Sequence, residues 1–309
     1  MIYEVIHHTN YKYDDFVSYC HNLATLKPRN IRGQQLLSFE MGITPTPSEI
    51  VERTDFFGNH VTRFSIQEIH QELNVTTKSF ILRDFDRIVA SYDLATCRQT
   101  TLEESIERLS LISPETLDAR QYTLESPLIR KLAPEIKAYA SVSFKPKRPV
   151  FEAAYELMQR IHNDFEFVPG FSDVATPLNE VFIERKGVCQ DFAQIAIACV
   201  RTMGLPARYM SGYIETIAPE GKEKLVGADA SHAWFSIFIP GFGWVDFDPT
   251  NNMIPANQHL VVAWGRDYYD VPPLKGVIYS HGKNEMTVSV DIRPADYQGN
   301  AMQLQFIES

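Results

Sequence analysis

Four cysteines in 309 residues, Cys20, Cys97, Cys189 and Cys199, stand far apart with no C-x-x-C pair, which argues against both a disulfide framework and a structural zinc site. There is no H-E-x-x-H motif either, so a metal-dependent hydrolase has no ligand set to rest on, and neither a metal nor a cofactor is expected. No run approaches the roughly 20 apolar residues that span a bilayer. Basic residues are outnumbered, 29 Lys and Arg against 39 Asp and Glu, and the formal charge of -10 repels phosphate backbones and anionic lipid surfaces. Nucleic-acid and membrane partners are therefore not expected. The opening Met1 to His8 lacks a basic region followed by an apolar one, which with the unpaired thiols points to a soluble cytoplasmic protein.

What remains is a globular composition, 44% hydrophobic and 22% charged, in a chain long enough for two domains. Residues 1–85 read as an antiparallel β-domain: Leu37, Phe39, Met41 and Ile43 alternate, strands near 50–54 and 61–66 flank a Phe57-Gly58-Asn59-His60 turn, and Leu73, Val75 and Thr77 add another. His7, His8 and His21 are scattered and read as surface or satisfied residues. Residues 86–148 look helical and connective, with a charged helix at 103–108 and an N-cap at Ser126-Pro127. Residues 149–309 form the third region. Val150, Ala153, Ala154, Leu157, Met158 and Ile161 mark a core helix, Thr176-Pro177 caps another, and strands at 260–264, 285–292 and 302–306 close it.

Arg185-Lys186-Gly187-Val188-Cys189 delivers a cysteine to the start of an apolar helix. Phe192, Ile195, Ala196, Cys199, Val200 and Met203 follow at helical spacing, and Gly204 ends the run. Cys199, in the middle of that stripe, reads as core. Cys189 opens the helix, where unpaired N–H groups favour an anion and can receive a developing oxyanion; alone, it could equally be a small buried hydrophobe.

A cysteine nucleophile needs a base and an orienter behind it. Ser231 to Ile239 alternates with His232, Trp234, Ser236 and Phe238 on one face; Pro240-Gly241-Phe242-Gly243 turns; and Trp244, Asp246 and Asp248 share a face of the next strand. Simple pairing sets residue 248 opposite 235 and 246 opposite 237, which favours Asp248 over Asp246 as the partner of His232 and keeps Asn251 as the lesser option. His232 taken alone would read as structural; with Cys189 upstream and Asp248 beside it, the catalytic reading prevails. Trp234 and Trp244 read as packing aromatics. Ala218 to Ala230, with Gly221, Gly227 and several charges, is a candidate lid.

Gly187-Val188-Cys189-Gln190-Asp191-Phe192-Ala193, Gly204-Leu205-Pro206-Ala207-Arg208-Tyr209, Ser231-His232-Ala233-Trp234 and Gly243-Trp244 with Asp248-Pro249-Thr250-Asn251 together resemble the bacterial transglutaminase-like cysteine peptidases. Tyr3-Glu4-Val5, Phe57-Gly58-Asn59 and Asp270-Val271-Pro272-Pro273-Leu274 look like the N-terminal β-domain and tail of that family. The resemblance implies an α+β fold: a papain-like transglutaminase core, with the cysteine helix packed on an antiparallel sheet, preceded by a small antiparallel β-domain. It also implies Cys189 as nucleophile, His232 as general base and acid, and Asp248 as orienter. Gln194 stands where family members often carry histidine. The expected activity is hydrolysis of an amide bond in a peptide or amide substrate through a thioester, with transglutaminase transfer, a metal-dependent hydrolase or a noncatalytic binding module as the alternatives.

Overall fold

The computed structural model describes residues 1–85, 94–216, 230–280 and 282–297. Its strands are β1 (Ile2–Val17), β2 (Tyr19–Ala24), β3 (Gln34–Thr44), β4 (Glu49–Thr54), β5 (His60–Ile66), β6 (His70–Arg83), β7 (Glu166–Phe167), β8 (Lys186–Gly187), β9 (Ala207–Ile214), β10 (Ala230–Ile239), β11 (Gly243–Phe247), β12 (His259–Gly265), β13 (Leu274–Tyr279) and β14 (Asn284–Pro294). The helices among the described residues are α1 (Leu94–Gln99), α2 (Leu102–Ser110), α3 (Pro114–Arg120), α4 (Pro134–Ser143), α5 (Val150–Asp164), α6 (Leu178–Glu184) and α7 (Cys189–Thr202). None of them is long and apolar enough to cross a membrane.

Alternation builds the N-terminal sheets: in β6, Leu73, Val75, Thr77, Ser79 and Ile81 are buried while their neighbours are not. Two four-stranded sheets result, ordered β14-β1-β6-β3 and β13-β2-β5-β4. One of the strands expected to close the 149–309 region, 285–292, therefore lies elsewhere, as does β13, which is not among the expected strands. β14 pairs with β1, setting Ile292 beside Val5 and Val290 beside His7, and β13 pairs with β2. Period-two patterning marks a strand but not the edge it joins, and the free edge of β1 presents a matching apolar face in Tyr3 and Val5. The expected strand at 302–306 lies outside the described residues.

The third four-stranded sheet, ordered β11-β10-β9-β12, carries the helices. α5 buries Val150, Ala153, Ala154, Leu157, Met158 and Ile161, as its spacing requires. α7 is buried almost all round, from Asp191 to Arg201, and not along one stripe, because α4, α5 and α6 cover the side that the sheet leaves open. Full burial of side chains such as Phe192, Ile195 and Val200 stabilises by about 1.5–3 kcal/mol each. Cys199 packs in this core with no exposure.

No helix begins at Ser126-Pro127. Ser126 and Ile129 exchange backbone hydrogen bonds in a tight turn, and the Ser126 hydroxyl, which would have capped a helix, accepts from the Arg201 guanidinium at 3.1 Å. α6 does start after Pro177, but Thr176 does not cap it, since its hydroxyl donates to Asp173. The helix stops on Arg185 in the left-handed region (φ 56°), and its guanidinium stacks 4.1 Å over Phe182 and 4.7 Å over Phe165.

Candidate active site

The short parallel pair β7–β8 brings the chain to Val188, and α7 begins at Cys189. The helix start is locked by Asp191, which folds back so that its carboxylate accepts from the Val188 N–H at 2.8 Å and from the Ser172 hydroxyl. Burial pushes the Asp191 pKa up against the lowering effect of these bonds. A Cβ at Gly187 would sit 2.7 Å from Asp191 Oδ2 and 2.8 Å from its Cβ, so the glycine makes room for the returning carboxylate. Cys189 is half-buried, whereas Cys20, Cys97 and Cys199 are buried. Burial raises the thiol pKa of Cys97 to about 11 and of Cys199 to about 12.

β10 and β11 pair one residue away from the expected register: Phe235 opposes Phe247 and Ser236 opposes Asp246. Gly243, at φ 107°, closes the ladder against Ile239 and leaves a three-residue turn, a conformation open to glycine that simple counting does not anticipate. Directly opposed residues share a face, so Asp246 meets Trp234, whose indole N–H donates to it at 3.1 Å. Asp248 lies beyond the ladder. Pro249 turns the chain, Asp248 and Met253 form an isolated bridge, and the carboxylate swings to His232.

The Asp248 carboxylate has no exposure. Its Oδ1 accepts the N–H groups of Thr250 and Asn251 at 3.0 and 3.2 Å, and its Oδ2 accepts His232 Nε2 at 2.7 Å, Asn251 Nδ2 at 2.7 Å and His259 Nε2 at 2.9 Å. Burial alone would raise its pKa, but the donors from His232 and His259 hold it far below the usual carboxylate range. Burial works to lower the His232 pKa, but the hydrogen-bonded Asp248 carboxylate and the neighbouring Cys189 lift it to about 10. With Nε2 on Asp248, Nδ1 is the nitrogen left for the thiol. Asn251 thus meets both His232 and Asp248, and acts as a donor to the carboxylate rather than as its substitute.

His259, which opens β12, carried no sequence signal: a lone histidine before an apolar strand usually packs. Burial pushes its pKa down, its Nδ1 has no partner, and its proton therefore sits on Nε2, toward Asp248. His232, Asp248 and His259 bring three possible ligand atoms within 4.8 Å. Both nitrogens, however, lie at hydrogen-bond distance from one carboxylate oxygen and present protons where a zinc ion would need lone pairs about 2.0–2.1 Å away.

Cys189 and His232 line a cleft of about 410 Å³. One side is the β11-β10-β9-β12 sheet and the α7 start, with Tyr209 and Ser211; the other comes from β1 and β14, with His7, Thr9 and Val288. His7 is satisfied as expected, between Thr9 Oγ1 at 2.8 Å and the Tyr213 hydroxyl at 3.1 Å, but it is buried at this wall. Both tryptophans pack: Trp234 is fully buried, and Trp244 lies under the Arg208 guanidinium. Gln194 is buried in α7 and is not among the lining residues. The lid expected at 218–230 lies outside the described residues apart from Ala230.

Residues 3–81 match the family model of the bacterial transglutaminase-like N-terminal region, and residues 137–249 match that of the transglutaminase-like superfamily. An uncharacterized protein of Mycobacterium tuberculosis is 37% identical over 97% of this chain and 94% of its own length. The chain belongs to the transglutaminase-like superfamily. An uncharacterized Mycobacterium leprae protein is 30% identical to this transglutaminase-like chain over 93% of it and 97% of the relative. A crystal structure from Cytophaga hutchinsonii, called a "putative cysteine protease", superposes with a TM-score of 0.72 at 21% identity, covering 96% of this chain and 92% of that one, and so shares the transglutaminase-like fold.

Proposed function

We propose that this protein is a cysteine hydrolase that cleaves an amide bond through a thioester, with Cys189 as nucleophile, His232 as general base and acid, and Asp248 as orienter. The observation that carries the reading is that a helix-opening thiol lines one cleft with an imidazole that a buried carboxylate holds from behind. In this reading Cys189 Sγ gives its proton to His232 and attacks the carbonyl carbon. The oxyanion faces the unpaired N–H groups at the start of α7. His232 then protonates the departing amine as the C–N bond breaks. Water, deprotonated by His232, next attacks the thioester and releases the acid. The name given to the Cytophaga hutchinsonii structure agrees with this chemistry.

Transfer to an amine shares every step up to the thioester, and water must then be kept out. The cleft wall holds half-solvated apolar residues, Met286 at 53% and Val288 at 46% exposure, which favours hydrolysis. A noncatalytic module would have no use for a thiol held against an imidazole. The test is to alkylate one sample with iodoacetamide at pH 6 and, with a separate unmodified sample, to turn over a peptide and amide library with a labelled primary amine present. Cys189 is modified first and free acid predominates. Equal labelling of Cys20, Cys97 and Cys189, or no product that Cys189→Ala abolishes, removes the enzyme reading; predominant amide makes the protein a transglutaminase.

A further inference from the structure

The cleft wall facing Cys189 does not belong to the catalytic sheet. β1 and β14 run antiparallel there, with Tyr11 opposite Met286, Thr9 opposite Val288 and His7 opposite Val290. Along β14 from 286 to 292 the residues on this face are apolar, Met286, Val288, Val290 and Ile292, while Thr287, Ser289 and Asp291 occupy the other face. The apolar face is buried at one end, where Val290 is 1% exposed against the catalytic core, and open at the other, where Val288 and Met286 line the cleft. A face that only met solvent would be polar like its reverse side, so apolar residues held open beside a reactive thiol mark a surface that a ligand covers.

The polar groups of the wall are already engaged. His7 uses both ring nitrogens, on Thr9 and Tyr213, and burial, with a smaller effect from the nearby His8 charge, lowers its pKa to about 4, leaving it neutral. Among the described residues no Lys, Arg, Asp or Glu lines the cleft, and His232, the lining group with a raised pKa, is already paired with Asp248, so a charged group at the β1–β14 wall would lose water and find no free counter-charge.

We infer that the β1–β14 ladder forms a subsite for an uncharged, apolar side chain of a peptide substrate, next to the bond that Cys189 attacks, so that the N-terminal sheet sets specificity for the reaction of the transglutaminase-like core. The inference rests on the reading of Cys189 as an acyl-accepting nucleophile.

The experiment uses the full chain. p-Nitrophenyl acetate, which has no side chain to recognise, reports the nucleophile: Cys189 Sγ takes the acetyl group, the C–O bond breaks, p-nitrophenolate leaves with the electron pair, and mass spectrometry locates the thioester. Peptide amides carrying Leu, Asp or Lys at each position are then cleaved, and the product ends rank the residues beside the cut. In the wild type, Leu exceeds Asp and Lys by about tenfold or more. Val288→Asp shifts the ranking toward Lys, and Val288→Lys shifts it toward Asp; Val288 is 46% exposed, so both changes leave the core intact. A variant that simply misfolded would lower all peptides together, whereas opposite shifts in the two variants report contact with the substrate. Thioester formation with a ranking that is flat, or that neither variant moves, overturns the subsite alone. No acetylation of Cys189 together with no peptide cleavage overturns the nucleophile and the subsite with it.

Discussion

Asp248 holds five donors on its two oxygens, from His232, His259, the Asn251 side chain and two backbone N–H groups, which saturates a carboxylate. Asp246, two residues earlier, accepts the Trp234 indole. Asp248→Asn sets an amide where His232 needs a charge and a fixed tautomer, and is expected to lower kcat/KM by up to about 10⁴, while Asp246→Asn changes it by less than about tenfold. Rates of both variants, with melting curves to show folding, decide the matter; a larger loss from Asp246→Asn removes Asp248 from its role. His232 also predicts a pH dependence. Its folded pKa, about 10, lies above the ordinary 6.5, so its contribution to stability is complete below about pH 6.5 and disappears as pH rises through 10. Urea unfolding of the wild type and His232→Gln at pH 6, 8 and 10 should give a difference that shrinks with pH. A constant difference contradicts the raised pKa. The residue types at the site were legible beforehand, since a helix-opening cysteine followed by a strand histidine and a carboxylate is a local pattern. His259 was not legible, because its partner is a carboxylate brought by a different loop.

At the scale of the element, α7 depends on a pair of residues at its start. Gly187 has no side chain because Asp191 occupies that space, and Asp191 in turn fastens Val188 and Ser172. Gly187→Ala is expected to cost about 1–3 kcal/mol by overpacking and to slow alkylation of Cys189 as the helix start shifts. In an Asp191→Ala background the carboxyl group is gone and only the Cβ, 2.8 Å away, still meets the new methyl, so the penalty should fall by about 0.5 kcal/mol. Thermal melts of the four proteins measure the coupling, and strict additivity would show that the two residues do not share that space. The glycine reads locally as a helix stop, but the left-handed residue that ends α6 is Arg185, tolerated because three aromatic rings, Tyr139, Phe165 and Phe182, surround its guanidinium. The β10–β11 hairpin was similarly legible in kind but not in register, since one glycine at positive φ moves every pair by one.

At the scale of the whole molecule, β1 and β14 bring residues 2–17 and 284–294 together beside the β11-β10-β9-β12 sheet. Tyr3, Val5, Ile81, Val290 and Ile292 share one core with α5, α7 and β10. Arg29 stacks 3.5 Å from the centre of the Trp264 ring, with Arg208 on the same indole, so a residue of the N-terminal region is held to the core sheet. The sequence by itself determined the α+β character, the existence of β3 to β6, β9 to β12 and β14 and of α2, α5, α6 and α7, the core faces of α5 and α6, and the cysteine, histidine and aspartate of the candidate site. These follow from periodicity, glycine and proline positions, and reactive residue types, all of which act within a few residues. Only the tertiary structure decided that the last described strands complete the N-terminal sheets, that α7 is enclosed on all sides, that His259 joins Asp248, and that a wall from β1 and β14 faces Cys189. Each of these depends on which surfaces lie opposite one another across gaps of tens to hundreds of residues, and a local pattern specifies that a face is apolar without specifying what covers it.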